Sequence, residues 1–357
     1  METGLSIIVP SFNPGKVIDR CLMAIDRELK DIDQPSEILV VDSSPSPLQL
    51  PQIPNLKLCQ SNVQLFASEA RNLGARMAKY PTFVFLDADV EILPGAIKIL
   101  LDGFKENFDV VGGVYEIHNT DTSRLSTYQD FFLIFRYENI PPGKNFFSSG
   151  HFAVSRENFW KVGGFSENLQ SYEDVDLGIK LQKKSLKAHV CLESRGYHLK
   201  NFNLKSMFRD YSIKTKNMIY YRLSRLNDLH WSDTFLTKSM RVSYYLVFCY
   251  LLLFTMIAIP GEPVAISFWL SMLGILIILD VGLLVHFMVF VWGVTRRPLW
   301  VIGALFFFKA TTIPIIFGTI HGFYMFFKKD DSFVNEVKPS PDIDSMDITH
   351  NPGSQDS

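Results

Sequence analysis

The chain has 357 residues, 47% apolar and 20% charged, with a formal net charge of −2. These proportions exclude a disordered chain, a collagen and a small disulfide scaffold, and they leave no global basic field for nucleic acid. The mean hydropathy of +0.12 is high for a soluble enzyme and directs attention to where the apolar residues lie. Cys21, Cys59, Cys191 and Cys249 are widely spaced and form no CxxC pair, which points to reduced thiols rather than a zinc or disulfide framework. The N-terminus lacks a basic n-region and Leu5–Val9 is too short for a signal peptide, so the first domain is expected to stay in the compartment of its synthesis.

In chain order, Leu5–Val9 reads as a buried strand ending at Pro10, with a turn over 11–15 and a helix marked by Ile18, Leu22, Ile25 and Leu29. Glu37–Asp42 reads as a second buried strand and Leu56–Leu58 as a short third one. A helix over Ala67–Lys79 leads into a strand at Thr82–Leu86, which ends in Asp87-Ala88-Asp89. Alternating strands and helices predict an α/β domain with a mostly parallel sheet covered by helices on both faces, binding its ligand at the carboxyl ends of the strands. Ser11, Asn13, Asp42, Asp87 and Asp89 lie at those ends. G-x-G-x-x-G and G-x-x-x-x-G-K-[ST] are both missing, so phosphates need another partner. Two carboxylates one residue apart at a strand end can reach one Mg²⁺ or Mn²⁺ that is shared with substrate phosphates.

Residues 195–241 are rich in Lys and Arg, with apolar residues at helical spacing, and suggest a basic amphipathic segment lying on an anionic leaflet or packed on the soluble domain. Val242–Ile259, Val264–Val294 and Leu299–Phe327 are long apolar stretches, and a crossing helix needs ~20 such residues. Lys309 and Pro314 make the third either a tilted span or a re-entrant pair; three spans are the favoured reading. The acidic tail reads as disordered. The expected organisation is an α/β domain over 1–200, an interfacial segment over 201–240, a transmembrane region of about three helices over 241–328 and the tail over 329–357.

Several motifs stand in a telling order: IIVPSFN (7–13), VVD (40–42), ARNLG (70–74), FLDAD (85–89), GGF (163–165) and EDVDL (173–177). Over residues 5–193 the chain resembles the family 2 glycosyltransferases, which have the GT-A fold. The resemblance implies that Pro10, Ser11, Asn13 and Asp42 hold the nucleotide, with Arg71 close by. It implies that Asp87 and Asp89 hold the diphosphate and an Mn²⁺ or Mg²⁺ ion, that His198 is a further metal ligand, and that Asp174 is the catalytic base with Glu173 second to it. A packed histidine is the alternative for His198, and bracing of the following helix is the alternative for Asp176. Ser148–His151 is placed at the acceptor entrance, with a surface-facing strand histidine as the alternative for His151, and Trp160 and Phe165 are placed in the core.

Two departures matter. The loop after Asp42 reads Ser43-Ser44-Pro45-Ser46-Pro47 where the family often has a second Asp, and the Q/R-x-x-R-W motif of processive synthases is missing. The expectation is therefore an inverting transferase in the inner or plasma membrane, its catalytic domain cytosolic. It moves one sugar from a nucleotide-diphosphate sugar, UDP favoured, to a lipid or lipid-linked acceptor, with membrane lipids as neighbours and no nucleic acid. The alternatives are a polyprenyl-phosphate glycosyltransferase and an inactive GT-A scaffold. A transporter using Asp280, His286 and Lys309 is a further reading, for which three spans are few.

Overall fold

The structure, a computed structural model, describes residues 3–117, 122–140, 147–167, 169, 171–224, 237–259, 263–329 and 347–350. β1 (Leu5–Ser11) is wholly buried because its neighbours β2 (Ser36–Asp42) and β4 (Thr82–Leu86) flank it in parallel, with Leu5 opposite Ser36 and Ser11 opposite Asp42. β3 (Leu56–Gln60) continues the parallel set beyond β2. Strand alternation sends Ile7 and Val9 to one face and Ile8 to the other. The first face packs on α1 (Val17–Leu29) and α3 (Ala96–Lys105) through Ile18, Leu22, Ile25, Ile97 and Leu100. The second packs on α2 (Ala67–Met77), α5 (Arg156–Lys161) and α6 (Glu173–Lys183) through Ala75, Phe159, Leu177 and Leu181. Each buried Ile, Leu or Phe side chain among these contributes about 1.5–3 kcal/mol.

The second half of the sheet differs from the mostly parallel expectation. β5 (Val90–Ile92), β6 (Val110–Glu116), β7 (His151–Ser155) and β8 (Ala188–His198) add to the β4 side, giving the order β5-β8-β6-β7-β4-β1-β2-β3-β9. The β4–β7, β6–β7 and β5–β8 pairs are antiparallel, and only β6–β8 is parallel. The sheet is therefore mixed. β9 (Asp347–His350) pairs antiparallel with β3, so this part of the tail carries structure where composition predicts none. The remainder of the tail lies outside the described residues.

Beyond the sheet, α4 (Arg124–Glu138) is capped by Ser123, whose Oγ accepts from Ser126 N at 3.2 Å. Its Phe131, Phe132 and Phe135 form a cluster with Leu284, Phe287 and Phe308 of the apolar helices. Those helices are α8 (Lys238–Ala258), α9 (Pro263–Thr295), α10 (Pro298–Ala310) and α11 (Thr312–Lys328). By length and composition, three helical runs could cross a membrane: 238–258, 265–295 and 298–328. The last is interrupted at Thr311 because Pro314 has no N–H for the carbonyl of Ala310. Thr311 itself stays right-handed, so the run is kinked rather than cut.

Within this bundle Asp280 is buried and accepts from Ser243 Oγ at 2.5 Å and Tyr250 OH at 2.9 Å, and Lys309 pairs with it. Asp280 and Lys309 therefore satisfy each other and, through Ser243 and Tyr250, tie α8, α9 and α10 together.

Only part of the expected 201–240 segment is one helix. α7 (Leu204–Ser224) ends before residues that lie outside the description, and α8 begins at Lys238. Lys205, Arg209 and Lys214 of α7 are exposed, while its other face docks on the α/β domain through Tyr221 OH to Asp176 Oδ1 at 2.6 Å and Asn217 Nδ2 to Ser171 Oγ at 2.8 Å. Along α7 runs α11, made close by Gly318 and Gly322. A Cβ on Gly322 would stand 2.7 Å from the carbonyl oxygen of Lys216, and one on Gly318 would collide with that of Ser212. Gly318→Leu is expected to separate the two helices and cost about 1–3 kcal/mol, read as a lowered Tm of the detergent-solubilised protein.

Candidate active site

At the ends of β1 and β2, Asp42 is fully buried. Its carboxylate accepts from Ser44 Oγ at 2.8 Å, Ser44 N at 3.0 Å and Gln60 Nε2 at 2.9 Å. Ser44 thus braces Asp42 in the loop that departs from the family pattern, and its Oγ also accepts from Asn13 N at 2.7 Å. Asn13 sits in the left-handed region at φ 48°, which turns the chain at the rim. Pro10 lies inside β1 opposite Val41. The buried hydroxyls of Ser11 and Ser43 have no hydrogen-bond partner among the described residues. Buried polar groups are normally paired, so both are free to meet a ligand here.

At the end of β4, Asp87 N donates to Gly150 O at 3.0 Å. Arg71 is 2% exposed and spans two acids, with Nη2 to Asp87 Oδ1 at 2.5 Å and Nη1 to Glu173 Oε1 at 3.1 Å. Its plane also faces the Phe165 ring at 5.4 Å. The next residue explains the motif: Asn72 Nδ2 donates to Phe165 O at 2.8 Å and Asn72 Oδ1 accepts from Phe165 N at 3.0 Å. This tie fixes α2 to the GGF turn and sets the reach of Arg71. Gly150 leaves no room for a side chain, because a Cβ there would collide with the Asp87 carboxylate. Gly150→Ala is expected to displace the Asp87 carboxylate and cost about 1–3 kcal/mol, read as a lowered Tm.

Asp89 faces His198, with Oδ2 3.6 Å from Nε2. Burial raises the Asp89 pKa, but His198 and then Lys200 more than offset it and hold the carboxyl below its ordinary range. The His198 ring also packs on Tyr115 at 5.2 Å, and Tyr115 OH lies 2.8 Å from Ser148 Oγ. Tyr115 and Tyr137, 6.3 Å apart and edge to face, stand within the field of Asp87. Burial first, with the Asp174 and Asp87 charges, pushes Tyr137 up to about 12.

α6 opens with Glu173, Asp174 and Asp176 in its first turn, where carboxylates favour the positive helix end. Glu173 Oε1 also accepts from Ser149 Oγ at 2.9 Å, so this acid is held in place by Arg71 and Ser149. Asp176 is bonded to Ser166, Tyr221 and Lys180 and braces α7. Asp174 Oδ1 accepts from Val175 N at 2.7 Å. Burial first and the Glu173 charge second push its pKa up to about 7.

The tertiary structure thus joins Arg71, Asp87 and Glu173, brings Asp89 to His198, and places Ser11, Asn13 and Asp42 together. His151 departs from both of its sequence readings: it is fully buried beside Ser194 Oγ at 3.2 Å, and burial lowers its pKa to about 4. Gln60, Ser44, Tyr115 and Tyr137 are partners that sequence reasoning missed.

Among the described residues, no group of three His, Cys, Asp or Glu side chains is arranged to hold a metal ion. Asp89 faces His198, while Asp87 is held by Arg71.

A mixed sheet that begins as a parallel β-α unit, with acids at its strand ends and an acidic helix start facing them, defines a GT-A-like fold. The solved mannosyltransferase PcManGT from Pyrobaculum calidifontis, in complex with GDP-Man and Mn²⁺, shares it: TM-score 0.58 at 13% identity, over 90% of this chain and 88% of that one. Residues 6–163 match the sequence profile of Glycosyl transferase family 2. An uncharacterized glycosyltransferase of Haemophilus influenzae is 26% identical over 50% of this chain and 61% of its own length. The chondroitin synthase of Pasteurella multocida is 26% identical over 55% of this chain and 24% of its own. The validoxylamine A glucosyltransferase of Streptomyces hygroscopicus subsp. jinggangensis is 24% identical over 54% of each. The chain therefore spans between about a quarter and three fifths of these relatives' lengths. Its residues 6–163 are thus similar to glycosyltransferase family 2, and apolar helices long enough to span a membrane follow them.

Proposed function

We propose that the protein is a membrane-anchored glycosyltransferase that moves one sugar, with inversion, from a nucleotide-diphosphate sugar to a lipid or lipid-linked acceptor at the cytosolic face of the inner or plasma membrane. The observation that carries this reading is the Arg71 bridge from Asp87 to Glu173. It brings Asp87 at the end of β4 together with the acidic start of α6, and Asp176 of the same helix is bonded to α7.

In the proposed reaction, Ser11, Asn13, Ser43 and the Asp42–Ser44–Gln60 group receive the nucleotide, and Arg71 lies beside the diphosphate. Asp87, Asp89 and His198 would hold Mn²⁺ or Mg²⁺, which when bound supplies positive charge against the leaving diphosphate. The free oxygen of Asp174 takes the proton from the acceptor hydroxyl. The hydroxyl oxygen bonds to the anomeric carbon as the bond to the diphosphate oxygen breaks on the opposite face. Anchoring at the bilayer raises the effective concentration of a membrane-bound acceptor.

The alternative acceptor is a polyprenyl phosphate, favoured by one observation: Lys214 lies within the field of Asp174 and Asp174 within that of Arg136, so an anion would meet cations there. An inactive scaffold fits poorly with two buried serine hydroxyls awaiting partners at the nucleotide end. A UDP-sugar is the favoured donor, and GDP-mannose, the ligand of the structural neighbour, is the second donor to examine. A panel of nucleotide sugars incubated with the purified protein, Mn²⁺ and native membrane lipids, read by mass spectrometry, should show one lipid gaining a single sugar mass. Failure with every UDP-, GDP- and dTDP-sugar would defeat the proposal.

A further inference from the structure

The third apolar run is long enough to cross a bilayer, but its surroundings indicate a different path. At its start, Trp300 stands edge to face with Phe131 of α4 at 5.7 Å and with Tyr128 at 5.2 Å. At its end, Met325 is buried in one cluster with Leu169, Tyr220 and Tyr221. α4 and Leu169 belong to the catalytic domain, so both ends of the run touch that domain, and a folded domain lies on only one side of a membrane.

The path between the two ends is consistent with this. α10 runs back along α9: Ala304, Phe307 and Phe308 pack with Leu284, Phe287 and Val291. It reaches only as far as Lys309, whose Nζ donates to Ser243 Oγ at 2.7 Å. Ser243 lies in the second turn of α8, where that helix starts from the catalytic side. The kink at Thr311–Pro314 then turns the chain into α11. α11 runs parallel to α7, with Ser212 Oγ donating to Pro314 O at 3.2 Å and Phe208 against Phe317 at 5.7 Å. Farther along, Gly318 and Gly322 lie against Ser212, Lys216 and Ile219. α7 exposes Lys205, Arg209 and Lys214, and a helix carrying such charges is not stable in hydrocarbon.

We infer that α8 and α9 are the crossing hairpin, and that α10 and α11 form a re-entrant strap seated in the lipid leaflet on the catalytic side. The exposed row of Ile313, Phe317, Ile320, Tyr324 and Phe327 on α11 faces the acyl boundary, and α7 lies beside it at the head groups. The cations agree. Arg296 and Arg297 precede the strap, Lys328 and Lys329 follow it, and all four are exposed; the positive-inside rule places both pairs on one face, which a single crossing does not allow. The pairing of β9 with β3 agrees independently, because it returns the chain after α11 to the catalytic sheet. This topology goes beyond the proposed reaction and holds whatever sugar is moved.

Labelling in sealed vesicles of known orientation tests it, with a membrane-impermeant maleimide, Cys249→Ser as the background and the partly exposed Cys191 as the reporter of the catalytic side. Lys328→Cys is expected to react in the same vesicles as Cys191, and Gly261→Cys, between α8 and α9, only in vesicles of the opposite orientation. Reaction of Lys328→Cys together with Gly261→Cys, or of Gly261→Cys on the Cys191 side, overturns the inference. A C-terminal epitope on the otherwise unaltered chain, digested by added protease only where the catalytic domain is accessible, gives the same answer without altering a helix; protection there overturns it too.

Discussion

Replacing Asp174 by Asn is expected to lower transfer to a hydroxyl acceptor by about 10²–10⁴-fold while leaving nucleotide binding within a few-fold of wild type. The change keeps shape and removes the ability to take a proton. One Asp174 oxygen is already committed to Val175 N, so the second is the one that serves the acceptor. The same group sets a pH profile. Burial and the neighbouring Glu173 charge put its pKa at about 7. A base works only when deprotonated, so the rate should fall about tenfold per pH unit below that value and level off above it. In Asp174→Asn this limb should vanish. A variant that keeps near-normal transfer, with no change in profile, would show that the acceptor arrives as an anion and would favour the polyprenyl-phosphate reading.

Arg71→Ala is expected to have the second large effect, in two separable readouts. Removing one partner of a buried ion pair leaves uncompensated carboxylates and costs 3–5 kcal/mol in typical cases. Asp87 and Glu173 keep side-chain exposures of 32% and 15%, so the lower end, about 3 kcal/mol, applies. For a chain of this size that corresponds to a Tm lower by roughly 6–12 °C. Transfer should also fall, by about 100-fold, because Asp87 and Glu173 lose their shared anchor. Arg71→Lys separates the two effects. It restores one charge but cannot reach both acids at once, so Tm should recover in part while transfer stays low. Wild-type Tm and activity in Arg71→Ala would show that the bridge holds nothing in place.

Much of the catalytic domain was legible because its signals are local. Leu5–Val9 and Glu37–Asp42 are short apolar runs ended by turn residues, and Ile18, Leu22 and Ile25 repeat at the helical period. The acids at 42, 87, 89 and 173–176 could be assigned to strand ends and a helix start on the same basis. The antiparallel half of the sheet was less legible. β6 and β7 are separated by α4, and β8 pairs in parallel with β6 and antiparallel with β5, a choice no local pattern encodes. His151 was misjudged for a related reason: its strand is central, between β6 and β4, and a central strand buries both faces.

Sequence alone determined the two materials of this protein, an α/β domain with carboxylates at its strand ends and a run of apolar helices, because hydrophobic period and run length are read within a few turns of chain. Only the tertiary structure decided that Arg71 would join Asp87 to Glu173, that Gln60 and Ser44 would brace Asp42, and that Asp280, Ser243, Tyr250 and Lys309 would satisfy one another. It also decided that α11 would lie along α7. Those contacts join residues 16 to 102 positions apart, or two positions across a sharp turn. Their energy depends on which faces meet after folding, which the spacing of residues along the chain does not specify.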